Sequence, residues 1–134
     1  MPDWEWLRRT IDGEVALPGS PAYQAAHQPF NARFRDVRPS AIVSCASPQD
    51  AAEAISFARR HGLELATRAG GHGFAAHAST PGLLVDVTPT RSVTVAGGVA
   101  TVGAGARLGE VYEALQDHDL TIPGGTCPPV GWRG

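Results

Sequence analysis

The sequence predicts an α+β fold, and three observations carry that expectation. An apolar run from Ala41 to Ala46 reads as a buried strand and passes directly into a helix start at Ser47-Pro48. Leu63 to Thr67 fits a short strand that enters a glycine loop, and Leu83 to Val87 fits a second strand that leaves it, so no helix opens at the glycines. Ser92 to Ala96 and Val99 to Val102 flank Gly97-Gly98, a strong signal for an antiparallel hairpin. A dinucleotide fold would instead open a helix at its glycine loop with G-x-G-x-x-G spacing, which the chain lacks.

The remaining elements follow in order. Asp3 to Thr10 predicts a short helix, and Gly13 to Pro21 reads as a Gly/Pro-rich connection. In the main helix Ser47 is the N-cap, Pro48 takes the first helical position and Asp50 lies in the first turn, where an acid suits the positive end of the dipole. Ala51, Ile55 and Ala58 recur at helical spacing with Ala54 and Phe57 beside them; Arg59, Arg60 and His61 suit the last turn, and Gly62 is a natural C-cap. After Gly103 and Gly105, a helix runs from about Leu108 to Asp117 with Leu108, Val111 and Leu115 on one face, and the tail from Thr121 is extended. After a lead-in (1–36) that carries little signal, a composition shift near Thr88-Pro89 marks the expected boundary between a first αβ part (37–88) and the start of an antiparallel part (89–134).

Composition narrows the class. With 43% hydrophobic and 18% charged residues the 134-residue chain is ordinary for a globular protein. No apolar run approaches the ~20 residues of a membrane span, and the N-terminus lacks the basic-then-apolar order of a signal peptide, so a cytoplasmic protein with no membrane partner is expected. Net charge is −2, and the eleven basic residues, all arginine, are scattered, which leaves no electrostatic footprint for nucleic acid. Cys45 lies in an apolar run and Cys127 in a loop, and no disulfide between them is expected.

Two segments carry chemistry. Arg68-Ala69-Gly70-Gly71-His72-Gly73-Phe74 holds a glycine pair whose backbone N–H groups can approach an anion closely, because no Cβ stands in the way. Gly125-Thr126-Cys127-Pro128-Pro129-Val130-Gly131 presents a cysteine in a second rigid loop. His72 and Cys127 are nucleophiles, the first as neutral imidazole, the second as thiolate. The side chain of Arg68 suits a phosphate or a strand-end salt bridge. A metal site built from His72, His77 and Cys127 lacks both helical i, i+4 spacing and an acidic partner. Trp4, Trp6 and Trp132 are candidate surface or partner anchors.

From about Tyr23 onward the chain resembles the berberine-bridge-enzyme-like FAD-linked oxidases of the vanillyl-alcohol-oxidase family. The residues that carry the resemblance are Phe30-Asn31, Arg38-Pro39-Ser40-Ala41-Ile42-Val43, the helix with Pro48, Asp50 and Ala51, the Arg68–His72 loop, Gly82-Leu-Leu-Val-Asp86, Thr101 to Gly109, and Pro123 to Gly131. The resemblance implies a PCMH-type FAD-binding domain, its small αβ subdomain complete and its antiparallel subdomain only begun. It implies that the backbone from Arg68 through Phe74 binds the FAD pyrophosphate, with Val130 and Gly131 completing the site, and that flavin is attached through its 8α-methyl to His72 and through ring carbon C6 to Cys127. The family departs from this chain at Gly73, where it has serine or asparagine, and at Ala76, where it has glycine. Its members also continue for several hundred residues, so the substrate and the base that deprotonates it are expected to belong to a full-length context. A truncated, non-catalytic remnant that binds FAD weakly or not at all is the alternative expectation.

Overall fold

The computed structural model describes residues 1–132. Two sheets organise it. Strands β1 (Glu14–Ala16), β2 (Ala41–Ser44), β3 (Leu65–Arg68) and β4 (Leu83–Asp86) form one sheet in the order β1-β2-β4-β3. β4 pairs in parallel with both β2 and β3, while β1 adds an antiparallel edge. Strands β5 (Val93–Ala96) and β6 (Val99–Val102) form a separate hairpin. Gly97 and Gly98 have φ of 56° and 75°, the left-handed pair that a two-residue hairpin turn requires.

The central strands β2 and β4 are apolar up to their last residues, Ser44 and Asp86, because both faces are covered. Ala41, Val43, Leu83 and Val85 point to one side, where they meet Ala54, Phe57 and Ala58 of helix α3 (Pro48–His61) and Leu7 of helix α1 (Trp4–Thr10). Ile42 and Leu84 point to the other side, against Tyr23 of helix α2 (Pro21–Ala26). A third cluster joins Val111 and Leu115 of helix α4 (Leu108–Gln116) to Val93, Val95 and Val102 of the hairpin.

The expected α+β class, the main helix with its Ser47 cap, the strands around the glycine loop and the hairpin are all present. The stretch read as a Gly/Pro-rich connection instead contains β1 and leads into α2, whose N-cap is Ser20 and whose first residue is Pro21. The tryptophans also differ from expectation. Trp4 packs on Phe57 at 5.2 Å between ring centroids, Trp6 stacks on Phe57 at 6.1 Å with the Arg60 guanidinium over its own ring, and Trp132 packs on the hairpin–α4 cluster. They hold elements of this chain together. No described helix is long and apolar enough to cross a membrane.

Candidate functional site

The glycine loop begins where β3 ends, and its shape is set from outside through its carbonyls. Thr88 Oγ1 donates to Ala69 O (2.9 Å), the Phe30 amide to Gly71 O (2.9 Å) and Asn31 Nδ2 to Phe74 O (3.1 Å). Arg68 is 6% exposed and makes no salt bridge among the described residues. Its guanidinium donates to Ala78 O through Nε (3.0 Å) and Nη2 (2.8 Å), and to Ala26 O through Nη1 (2.6 Å). Burial lowers the pKa of Arg68 and the Asp86 carboxylate opposes that shift, so the side chain is a buried cation tying the end of the loop to the end of α2.

Carbonyls are therefore held while amides are left over. Among the described residues, none of the backbone N–H groups from Gly70 to Ala75 has a protein acceptor. Gly71 sits at φ 71°, a left-handed conformation that glycine adopts without strain, and it is buried. A buried N–H without a partner is costly and rare, which singles out Gly71; the amides of Gly73, Phe74 and Ala75 lie at the exposed side of the loop.

The cysteine loop is seated on α4. The first N–H groups of a helix have no intrahelical acceptor, and here Val130 O accepts from Leu108 N (2.9 Å) and Pro128 O from Gly109 N (3.0 Å). Glu110 returns to the Arg107 amide (2.9 Å), Trp132 N donates to Ala106 O (2.7 Å), and Tyr112 Oη donates to Gly125 O (2.6 Å). The start of α4 is thus occupied by the chain itself.

The two loops then meet backbone to backbone. A Cβ on Gly70 would overlap the Gly131 amide nitrogen and lie 3.2 Å from Pro129 O; a Cβ on Gly131 would lie 2.9 Å from Gly70 N. This crossing brings His72 and Cys127 to one cavity of about 560 Å³, lined also by Phe30, Gly73, Phe74, Pro128, Pro129 and Val130. Its volume is in the range of small-molecule and cofactor sites, ~300–1,000 Å³. The lining is apolar apart from the imidazole and the thiol, and Phe74 is largely exposed at its rim. His77 lies in the 3-10 turn Ala76–Ala78, outside the lining of this cavity.

The two thiols differ sharply. Cys45 is fully buried, and burial first, then the Asp50 and Asp86 carboxylates, push its pKa up to about 11. Cys127 is exposed, and both are free. Iodoacetamide at pH 8 is expected to alkylate Cys127 and spare Cys45 in the folded chain; a peptide map with equal labelling would refute this difference in access.

Sequence reading placed the two loops but gave no role to Thr88 or Tyr112, which hold them. Such contacts join residues distant in sequence and leave no local pattern. Phe30-Asn31 did stand out as a motif, although nothing in its spacing says that it lies across the glycine loop.

Comparison with known proteins agrees with this geometry. Residues 39–133 match the model of the FAD binding domain family, and the chain belongs to that family. An FAD-linked oxidoreductase from Aspergillus niger is 33% identical over 127 residues, which is 92% of this chain and 23% of that protein. The structure of 6-hydroxy-D-nicotine oxidase from Arthrobacter nicotinovorans superposes with a TM-score of 0.87 at 30% identity, over 91% of this chain and 27% of the other. A berberine-bridge-enzyme-like protein from Physcomitrella patens gives 0.86 at 32% identity, over 95% and 29%. The chain spans about a quarter of the length of these relatives, and it is an FAD-binding portion of the flavin-dependent oxidoreductase type.

Proposed function

We propose that this chain holds the FAD of an oxidase acting on alcohols, sugars or secondary metabolites, and that His72 and Cys127 are the residues through which the flavin is attached. The observation that carries this reading is the convergence of these two nucleophiles on one apolar cavity from loops far apart in sequence. When bound, the flavin supplies a hydride acceptor that oxygen reoxidises to give hydrogen peroxide.

The chain's own residues supply the rest. The unpaired amides from Gly70 to Ala75 suit the pyrophosphate, with Arg68 holding the end of their loop rather than meeting the phosphates. Val130 and Gly131 fix the cysteine loop against α4 and against Gly70. Phe30, Phe74 and the prolines would offer the ring an apolar surface. His72 would hold the flavin through a ring nitrogen and Cys127 through its sulfur, one from each loop. The two free thiols suit a cytoplasmic setting, and the scattered arginines suit a small-molecule substrate rather than a nucleic acid.

The test is covalent retention of flavin. After expression with FAD and denaturation, mass spectrometry is expected to show flavin on the peptides of both His72 and Cys127. His72→Ala should leave only the cysteine link and Cys127→Ala only the histidine link. Flavin on neither peptide in the parent chain would overturn the attachment.

A further inference from the structure

The His72 ring has a neighbour that the family match leaves without a role. The ring of Phe30 lies 4.3 Å from the imidazole, centroid to centroid, with only 17° between the planes. We infer that Phe30 is a positioning residue for His72, fixing the plane of the imidazole so that its free nitrogen faces the cavity. This rests on the reading of the cavity as the flavin site.

Three features separate this contact from ordinary packing. Phe30 is 60% exposed and belongs to none of the three hydrophobic clusters, so the fold gains little from it. Its segment is nonetheless tied to the loop on both sides of His72: the Phe30 amide donates to Gly71 O at 2.9 Å, and the side-chain Nδ2 of the next residue, Asn31, donates to Phe74 O at 3.1 Å. Finally, among the described residues neither nitrogen of the His72 ring has a hydrogen-bond partner. The terminal torsion of histidine is broad, so an imidazole with no such partner sweeps through many orientations unless something restrains its faces. The stacked Phe30 ring is that restraint, and it restrains the plane while leaving both nitrogens free to react. A hydrogen bond would hold the ring equally well but would engage one nitrogen.

The experiment compares the parent chain with Phe30→Leu and Phe30→Trp, each expressed with FAD. Leucine keeps an apolar side chain but removes the flat face, and tryptophan restores a flat face. Flavin is quantified separately on the His72 peptide and the Cys127 peptide, and folding is followed by thermal melting. In Phe30→Leu, flavin on His72 is expected to fall about tenfold relative to flavin on Cys127, with an unchanged melting profile, and Phe30→Trp should recover most of it. Equal His72 occupancy in parent and Phe30→Leu would overturn the inference while leaving the flavin reading intact. So would a parallel loss at both residues, which marks a structural effect. A parent chain with no flavin on either peptide would overturn the reading itself, and this inference with it.

Discussion

Gly70→Ala is expected to lower covalently retained flavin by at least about tenfold while the chain still folds. Two loops cross at this residue, and the added methyl would overlap the Gly131 amide nitrogen and press on Pro129 O. Backbone, unlike a flexible side chain, cannot turn aside, so the loops must separate. They carry His72 and Cys127, and a displacement of about 1 Å at reacting groups can cost roughly a hundredfold in rate. Gly131→Ala should be milder, because its Cβ would meet Gly70 N at 2.9 Å and Ala69 Cβ at 3.3 Å. Separation of the loops also pulls on the Pro128 and Val130 carbonyls that meet the start of α4, so the melting temperature should fall as well, and retention is compared at a temperature where both proteins are folded. Flavin retention in Gly70→Ala equal to that of the parent would show that the crossing does not set the site.

This pair also shows how far the sequence could be read. Gly70-Gly71 and Gly131 are visible as loop residues, and a glycine pair before a histidine points to close backbone approach. What is approached is not visible. Gly71, with its left-handed φ, serves the row of amides, while Gly70 makes room for the other loop. The same local pattern thus contains a left-handed turn and a close packing contact, and only the position of a segment distant in sequence separates them.

The fold was legible where the physical signal is local. Helix α3 has its cap, its proline and its apolar spacing within one stretch, and the hairpin turn declares itself in two glycines. Strand β1 is different: three residues are too few to display a period of two, and Val15 and Ala16 are buried only because β2 pairs with them. Helix α2 carried a readable start in Ser20-Pro21, but its six residues lie in a stretch rich in loop formers. The partners of Arg68 were likewise not legible: they are carbonyls at the end of α2 and of the 3-10 turn, segments 42 and 10 residues away in sequence.

Asp50→Ala should destabilise the chain by about 3 kcal/mol, the scale of losing charge-assisted hydrogen bonds and leaving buried donors unpaired. The carboxylate is 2% exposed and accepts from the amides of Asp12, Gly13 and Ala46, each at 2.9 Å. The first two amides precede β1 and the third follows β2, so one side chain ties the start of α3 to both of those strands. The close approach depends on Gly13, where a Cβ would overlap Ser44 O and lie 3.0 Å from Asp50 Oδ2. Burial by itself raises the Asp50 pKa, but the backbone amides together outweigh it and hold the carboxyl below its usual value. A folded pKa below the unfolded ~3.9 means that the stabilisation is complete above about pH 5 and is lost as pH falls through the folded value. At neutral pH the melting temperature of Asp50→Ala should be lower by about 10 °C. Asp50→Asn should also lose stability, since its amide NH2 would confront at least one backbone donor. On acidification from pH 7 to pH 3 the parent should lose more stability than either variant, which no longer has this carboxylate to protonate. Parallel melting curves for parent and Asp50→Ala across that range would show that the three amides do not depend on the charge of Asp50.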